Sequence, residues 1–209
     1  METTGLDEVL NDIELSLKTP DLIQDNKLNF EHKDSLYRVR MPNQREYSLA
    51  ESKKNELYGE LIQIENMMTK PKLKKILKEK QNIDLDALQK EADDLEKEMY
   101  DVYISLSRKK DSETEAIEKY KKQIQDITAK RRDILMEITG HYESTIESQI
   151  ENRYMEFLTA CCTEKYFEED KKGRWEKVWS NFDEYTKDDT KLPLKAVGYL
   201  THLIFAIRD

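Results

Sequence analysis

The chain has 209 residues, of which 38% are charged, with a formal net charge of −9 and a mean hydropathy of −0.88. Five glycines and four prolines are too few for a collagen-like or Pro/Gly-rich low-complexity chain, and they oppose a turn-rich all-β fold. No run of about 18 apolar residues is present to span a membrane, and dense charge with scarce helix breakers fits long, solvent-washed helices.

Residues 1–26 read as an acidic arm. Residues 1–35 carry nine acids against three bases, so −6 of the −9 lies there. The opening METTGLDEVL has no basic n-region and is not expected to be a signal peptide. Leu6, Leu10, Ile13 and Leu17 recur at helical spacing until Pro20. So short a helix is marginal alone and must dock, either on its own body or in a partner's groove. Residues 27–42 change period: Leu28 and Phe30 alternate with polar residues, HKDS makes a turn, and Leu36 to Arg40 return. This predicts a β-hairpin stopped by Pro42.

Residues 43–139 are expected to be long helices. Asn43 and Glu46 form a capping box, followed by a stripe of Tyr47, Ala50, Lys54, Leu57, Leu61, Ile64 and Met68. After Lys70–Pro71 comes a short amphipathic piece with Leu73, Ile76 and Leu77. Asp84 caps a helix striped by Leu85, Leu88, Ala92, Leu95, Met99, Val102 and Leu106. Ser112 and Glu115 open another, striped by Ile117, Tyr120, Ile124, Ile127, Arg131, Ile134 and Ile138. Both stripes keep heptad order across a short link, which predicts an antiparallel coiled-coil hairpin or bundle. Lys54 and Arg131 on these stripes are read as an imperfect heptad, the alternatives being that they snorkel at a seam edge or mark where the seam meets water.

Residues 140–209 predict a helical subdomain with a small hairpin. Gly140 marks the end or bend of the long helix, and Ser144 with Glu147 caps the next, which buries Ile146, Ile150, Tyr154, Phe157, Leu158 and Cys161. Tyr166 and Phe167, a turn with Gly173, then Trp175, Val178 and Trp179 suggest the second hairpin. Ser180 and Asp183 restart a short helix around Phe182 and Tyr185. The most apolar helix, 194–207, ends the chain. The fold class is therefore mainly α with one or two small β-hairpins, and the core lies in the C-terminal third or is shared with the hairpins.

Reaction chemistry finds no motif. P-loop, GxGxxG, HExxH and GxSxG patterns do not occur. His32, His141 and His202 are far apart in sequence, and no carboxylate pair stands out from the solvated helix faces. Adjacent Cys161 and Cys162 suit reduced, buried thiols rather than a disulfide or zinc site. No catalytic residue, metal or cofactor is expected. The segment KPKLKKILKEK presents Lys72, Lys74, Lys75 and Lys78 for contact with phosphate or an acidic partner. It lacks arginine and interleaved aromatics, and the acidic whole opposes general nucleic-acid binding.

Two segments carry a resemblance. YRVRMPNQREYSLAE joins a strand, a proline and a helix start with Arg45 and Glu46. TIESQIENRYMEFLTACCT contains Thr145, Glu147, Asn152, Arg153, Tyr154, Leu158, Cys162 and Thr163, followed by Gly173, Trp179, Ser180 and Tyr185. Over residues 36–205 this order resembles small tailed-bacteriophage tail assembly chaperones or minor virion proteins, with Asn43 where the pattern usually has Thr. The resemblance implies a non-enzymatic assembly protein of the host cytoplasm and the virion. It would bind tail or other virion proteins, without a membrane, as a monomer or homo-oligomer. The contacts expected are Leu6, Leu10, Ile13 and Leu17 on the arm, and Arg38 and Arg40 on an exposed strand face. A nucleic-acid- or polymerase-binding regulatory coiled coil and a generic coiled-coil adaptor are the alternatives.

Overall fold

Alternation of buried and solvated side chains runs straight through the first two long strands: Leu28 and Phe30 of one and Tyr37 and Val39 of the next point to the same side and are buried. In the computed structural model, which describes residues 23–109, 114–169 and 172–206, these strands belong to a five-stranded antiparallel sheet. Its strands are β1 (Ile23–Gln24), β2 (Lys27–His32), β3 (Ser35–Arg40), β4 (Thr163–Glu169) and β5 (Lys172–Lys177), in that spatial order. The helices are α1 (Gln44–Leu61), α2 (Lys70–Ile76), α3 (Leu85–Ser107), α4 (Thr114–Tyr142), α5 (Ile146–Cys162), α6 (Phe182–Lys187) and α7 (Leu192–Ala206), so the molecule is mainly helical. A π-helical turn, Leu77–Gln81, follows α2.

The hairpin β2–β3 turns through Lys33 and Asp34, both with positive φ (47° and 57°). That is the requirement of a two-residue type I′ turn, which matches the strand twist but suits Asn-Gly far better than Lys-Asp. The substitution pair Lys33→Asn, Asp34→Gly relieves this backbone cost and is expected to stabilise the protein by about 1 kcal/mol. A thermal melt that fails to rise would refute the turn assignment.

The second hairpin, β4–β5, is not a separate element as the sequence suggests. Its β4 pairs with β3 through Tyr37 opposite Lys165, Arg38 opposite Glu164 and Val39 opposite Thr163. Trp179 lies beyond β5, buried, with its indole N–H donating to Asp188 at 3.0 Å. Gly173 has a steric reason: a Cβ there would fall inside the ring of Tyr166, which lies across it beside Trp175.

The chain divides into two compact units rather than four consecutive segments. The first joins residues up to 60 with those from 150 onward. Its core buries Leu28, Phe30, Tyr37 and Val39 with Leu158, Trp179, Tyr185, Tyr199, Leu200 and Leu203. Tyr199 of α7 stacks on Phe30 at 4.6 Å, and Phe30 on Tyr37 at 5.7 Å. Lys54 reaches over the Tyr154 ring rather than extending from a seam.

The second unit, 61–149, is helical. Helices α3 and α4 pack side by side in opposite directions over Ala92, Leu95, Val102, Ile124, Ile127, Ile134 and Ile138. Glu96 pairs with Arg131 at 2.9 Å and Met99 meets Thr128 at 3.5 Å, partners that step in opposite senses along the two helices, and Glu91 pairs with Lys130 at 2.9 Å. Asp84 caps α3 as expected, its carboxylate accepting from the Asp86 and Ala87 N–H groups. The predicted cap Ser112 lies outside the described residues. Helix α1 stops at Leu61, so Ile64 is exposed and Met68 instead bridges to Thr145. Thr69 with Pro71 starts α2 and prevents a continuous stripe. Helix α4 runs through Gly140 to Tyr142 without a break at the glycine.

Two caps fall one residue later than expected. Thr145, not Ser144, accepts from the Ser148 N–H, and Glu147 accepts from the Lys70 N–H at the start of α2. Likewise Asn181 caps α6 by accepting from the Glu184 N–H, while the Glu184 carboxylate accepts from the Ser180 N–H. Among the described residues no helix is long and apolar enough to cross a membrane.

Candidate functional site

Arg38 and Arg40 sit on the sheet face opposite Tyr37 and Val39, as strand alternation requires. Both are half-buried and hold ion-pair partners within the chain. Arg38 donates through Nε and Nη2 to Glu164 Oε2, both at 2.6 Å, and its guanidinium lies 4.2 Å from the Trp175 ring centre. Arg40 grips Glu46 with two N–H groups, Nη1 to Oε2 at 2.8 Å and Nη2 to Oε1 at 2.7 Å. It also reaches Glu164 Oε1 at 3.4 Å and the Cys161 carbonyl at 3.1 Å. Cross-strand pairing of β3 with β4, which places Glu164 beside both arginines, joins residues 126 and 124 positions apart. That separation removes the exposed-face expectation for the two arginines.

Glu46 is the centre of this cluster. Its carboxylate accepts from the Asn43 N–H at 2.9 Å while the Asn43 side chain accepts from the Glu46 N–H at 3.0 Å, the full capping box read from the sequence. Burial pushes the Glu46 carboxyl up, but the hydrogen bonds from Arg40 and Asn43 outweigh it and hold the group below its ordinary value. The hydrogen bond to Glu46 likewise raises Arg40 above its ordinary value. Cys162 packs 3.8 Å from both partners. Burial first, then the Glu46 charge, pushes its thiol up, and burial does the same to Cys161. Neither cysteine is in a disulfide, and protonated thiols of this kind are poor nucleophiles.

The lysine segment is held by acids that follow it closely in the chain. Lys74 pairs with Asp86, and Lys78 with Asp84 at 2.7 Å. Both acids stand at the start of α3. Lys75 lies 3.9 Å from Glu79 on its own helix face, and Lys72 is exposed. Thus Asp84 caps α3 and at once anchors the π-helical turn that follows α2. Leu6, Leu10, Ile13 and Leu17 lie outside the described residues.

A groove that sequence reasoning missed runs between α5, α6 and α7. It has a volume of about 730 Å³ and is floored by Met155, Tyr185 and Val197, with Leu194 at its lip and Asn152, Arg153 and Asp188 on its polar walls. The sequence signals were Tyr185, on the predicted short helix, and Val197, in the terminal apolar helix. The other walls come from segments whose proximity depends on packing. Among the described residues no group of three or more His, Cys, Asp or Glu is placed to hold a metal ion.

The groove offers shape and apolar surface with polar walls. Comparison of the chain with protein-family models, with curated proteins and with solved structures finds no match.

Proposed function

We propose that this chain is a non-enzymatic protein of tailed-phage assembly, a tail assembly chaperone or minor virion protein that binds other virion proteins through helical surfaces. The supporting observation is the set of large apolar side chains left outside the α3–α4 seam: Tyr100 is 66% exposed, Tyr103 49% and Met136 59%. Aromatic residues and methionine are enriched at protein interfaces because they bury much area for few frozen rotors. In this reading α3 and α4, about 35 and 44 Å long at 1.5 Å per residue, form an antiparallel coiled coil that fixes the register of a partner. The protein then acts in the host cytoplasm and in the virion.

The nucleic-acid alternative is less well supported. A phosphate backbone would have to displace Asp86 and Asp84 from Lys74 and Lys78, against a net charge of −9.

The test is affinity capture from phage-infected cells with tagged full-length chain and with a Tyr100→Glu, Tyr103→Glu, Met136→Glu variant. Wild type is expected to recover tail or capsid proteins and the triple variant to lose them while keeping its helical circular dichroism. Recovery of polymerase or DNA alone would overturn the proposal.

A further inference from the structure

Helix α7 is apolar on its outer side as well as its inner one. Between Leu192 and Ala206 its one Lys, Arg, Asp or Glu is Lys195. Its inner side buries Ala196, Tyr199, Leu200, Leu203 and Ile204. Its outer side carries Leu194 (44% exposed), Val197, Gly198, Thr201 and Phe205 (61% exposed). A helix apolar all round belongs under cover; here Val197 packs partly against the core and borders the groove with Thr201, while Leu194 and Phe205 at the two ends of the stripe stay exposed.

The chain itself supplies a matching occupant. Leu6 and Leu17 stand eleven positions apart, as do Leu194 and Phe205. Each therefore covers about 16 Å of helix. Where the chain enters the sheet agrees. Ile23 of β1 pairs with Leu28 of β2. Tyr199 stacks on Phe30 and the Lys195 charge acts on His32, so α7 runs against β2 with its later turns toward Leu28. Residues 18–22 reach at most about 17 Å, and they join the sheet at Ile23, opposite Leu28, on the side toward which the later turns of α7 run. A second copy fits less well: the outer face of α7 is roughly 22 Å by 10 Å, far below the ~800 Å² per partner of a stable dimer.

We propose that residues 6–17 dock in cis along α7 as an amphipathic helix, with Leu17 toward Phe205 and Leu6 toward Leu194, beside the groove floored by Met155 and Val197. The acidic side of that helix, with Asp7, Glu8, Asp12 and Glu14, faces water. Docking would sheath the most apolar surface of this unit without a partner.

Hydrogen exchange on the full chain tests this. Amides of residues 6–17 are expected to exchange at least about tenfold more slowly than coil, independent of protein concentration. The gain should vanish in Leu10→Asp, Ile13→Asp and equally in Leu194→Asp, Phe205→Asp, whose altered α7 side chains are exposed. Tryptophan emission verifies that the sheet core stays intact. Coil-rate exchange in wild type overturns the proposal. So does protection that grows with concentration, which assigns the stripe to a second copy, or protection that survives Leu194→Asp, Phe205→Asp.

Discussion

Arg40→Met is expected to lower the unfolding free energy by about 3 kcal/mol, a large share of the stability of an ordinary domain. The cause is the carboxylate left behind. Glu46 is 7% exposed, and its two strongest donors are the Nη1 and Nη2 groups of Arg40. Without them it must be buried as an anion held by Asn43 alone, or take up a proton. Glu46→Gln keeps the cap acceptor and removes the charge, so its loss should be smaller. The double variant Arg40→Met, Glu46→Gln should lose less than the two single losses together, because the stranded charge is gone.

The same contact sets a pH dependence. Glu46 is held below its ordinary value in the folded state, so its contribution is full above the unfolded carboxylate range and is lost as pH falls through the folded value. Urea unfolding at pH 7 and near pH 3 should therefore show wild type losing more stability on acidification than Arg40→Met. A single variant within about 0.5 kcal/mol of wild type, or strictly additive losses, would show that the cluster is not coupled.

Tyr199→Ala is the second large effect, an expected loss of about 3–5 kcal/mol. The ring is 1% exposed and lies against Phe30, which in turn lies against Tyr37. Truncation leaves a cavity where α7 meets the sheet, and the rigid backbones on either side can only partly close it. Both tryptophans belong to this unit: Trp179 is in the same core and Trp175 is on β5. The transition should thus be seen to shift in tryptophan emission under urea. A midpoint equal to that of wild type would mean that the stack contributes little to holding the sheet.

Local signals were readable where one stretch of chain meets its own requirements. The box of Asn43 with Glu46, the Asp84 cap, the stripe from Leu85 to Leu106 and the alternation of Leu28 with Phe30 depend on neighbours within a few residues. Backbone hydrogen bonding and side-chain period are enough to reveal them. Caps slipped by one residue where two candidates adjoined, Ser144 beside Thr145 and Ser180 beside Asn181. There the choice rests on which side chain meets the free N–H groups, and that is set by packing.

Pairing at long range was not readable. In one chain, Arg38 and Arg40 look like charges on a strand facing water. Only β4, arriving more than 120 residues later, places Glu164 between them and Trp175 beside them. The groove over Met155 and Val197 has the same origin, since α5 and α7 are apolar stripes until packing sets them side by side. By itself, then, the sequence determined the helices, their inner faces and most of their starts, because those are contests between adjacent residues. Tertiary structure alone decided that the two hairpins share one sheet and that the arginines serve Glu46 and Glu164. It also gathered residues 28–50 and 158–204 into one core, because strand pairing and burial are chosen by distant partners whose identity no local pattern records.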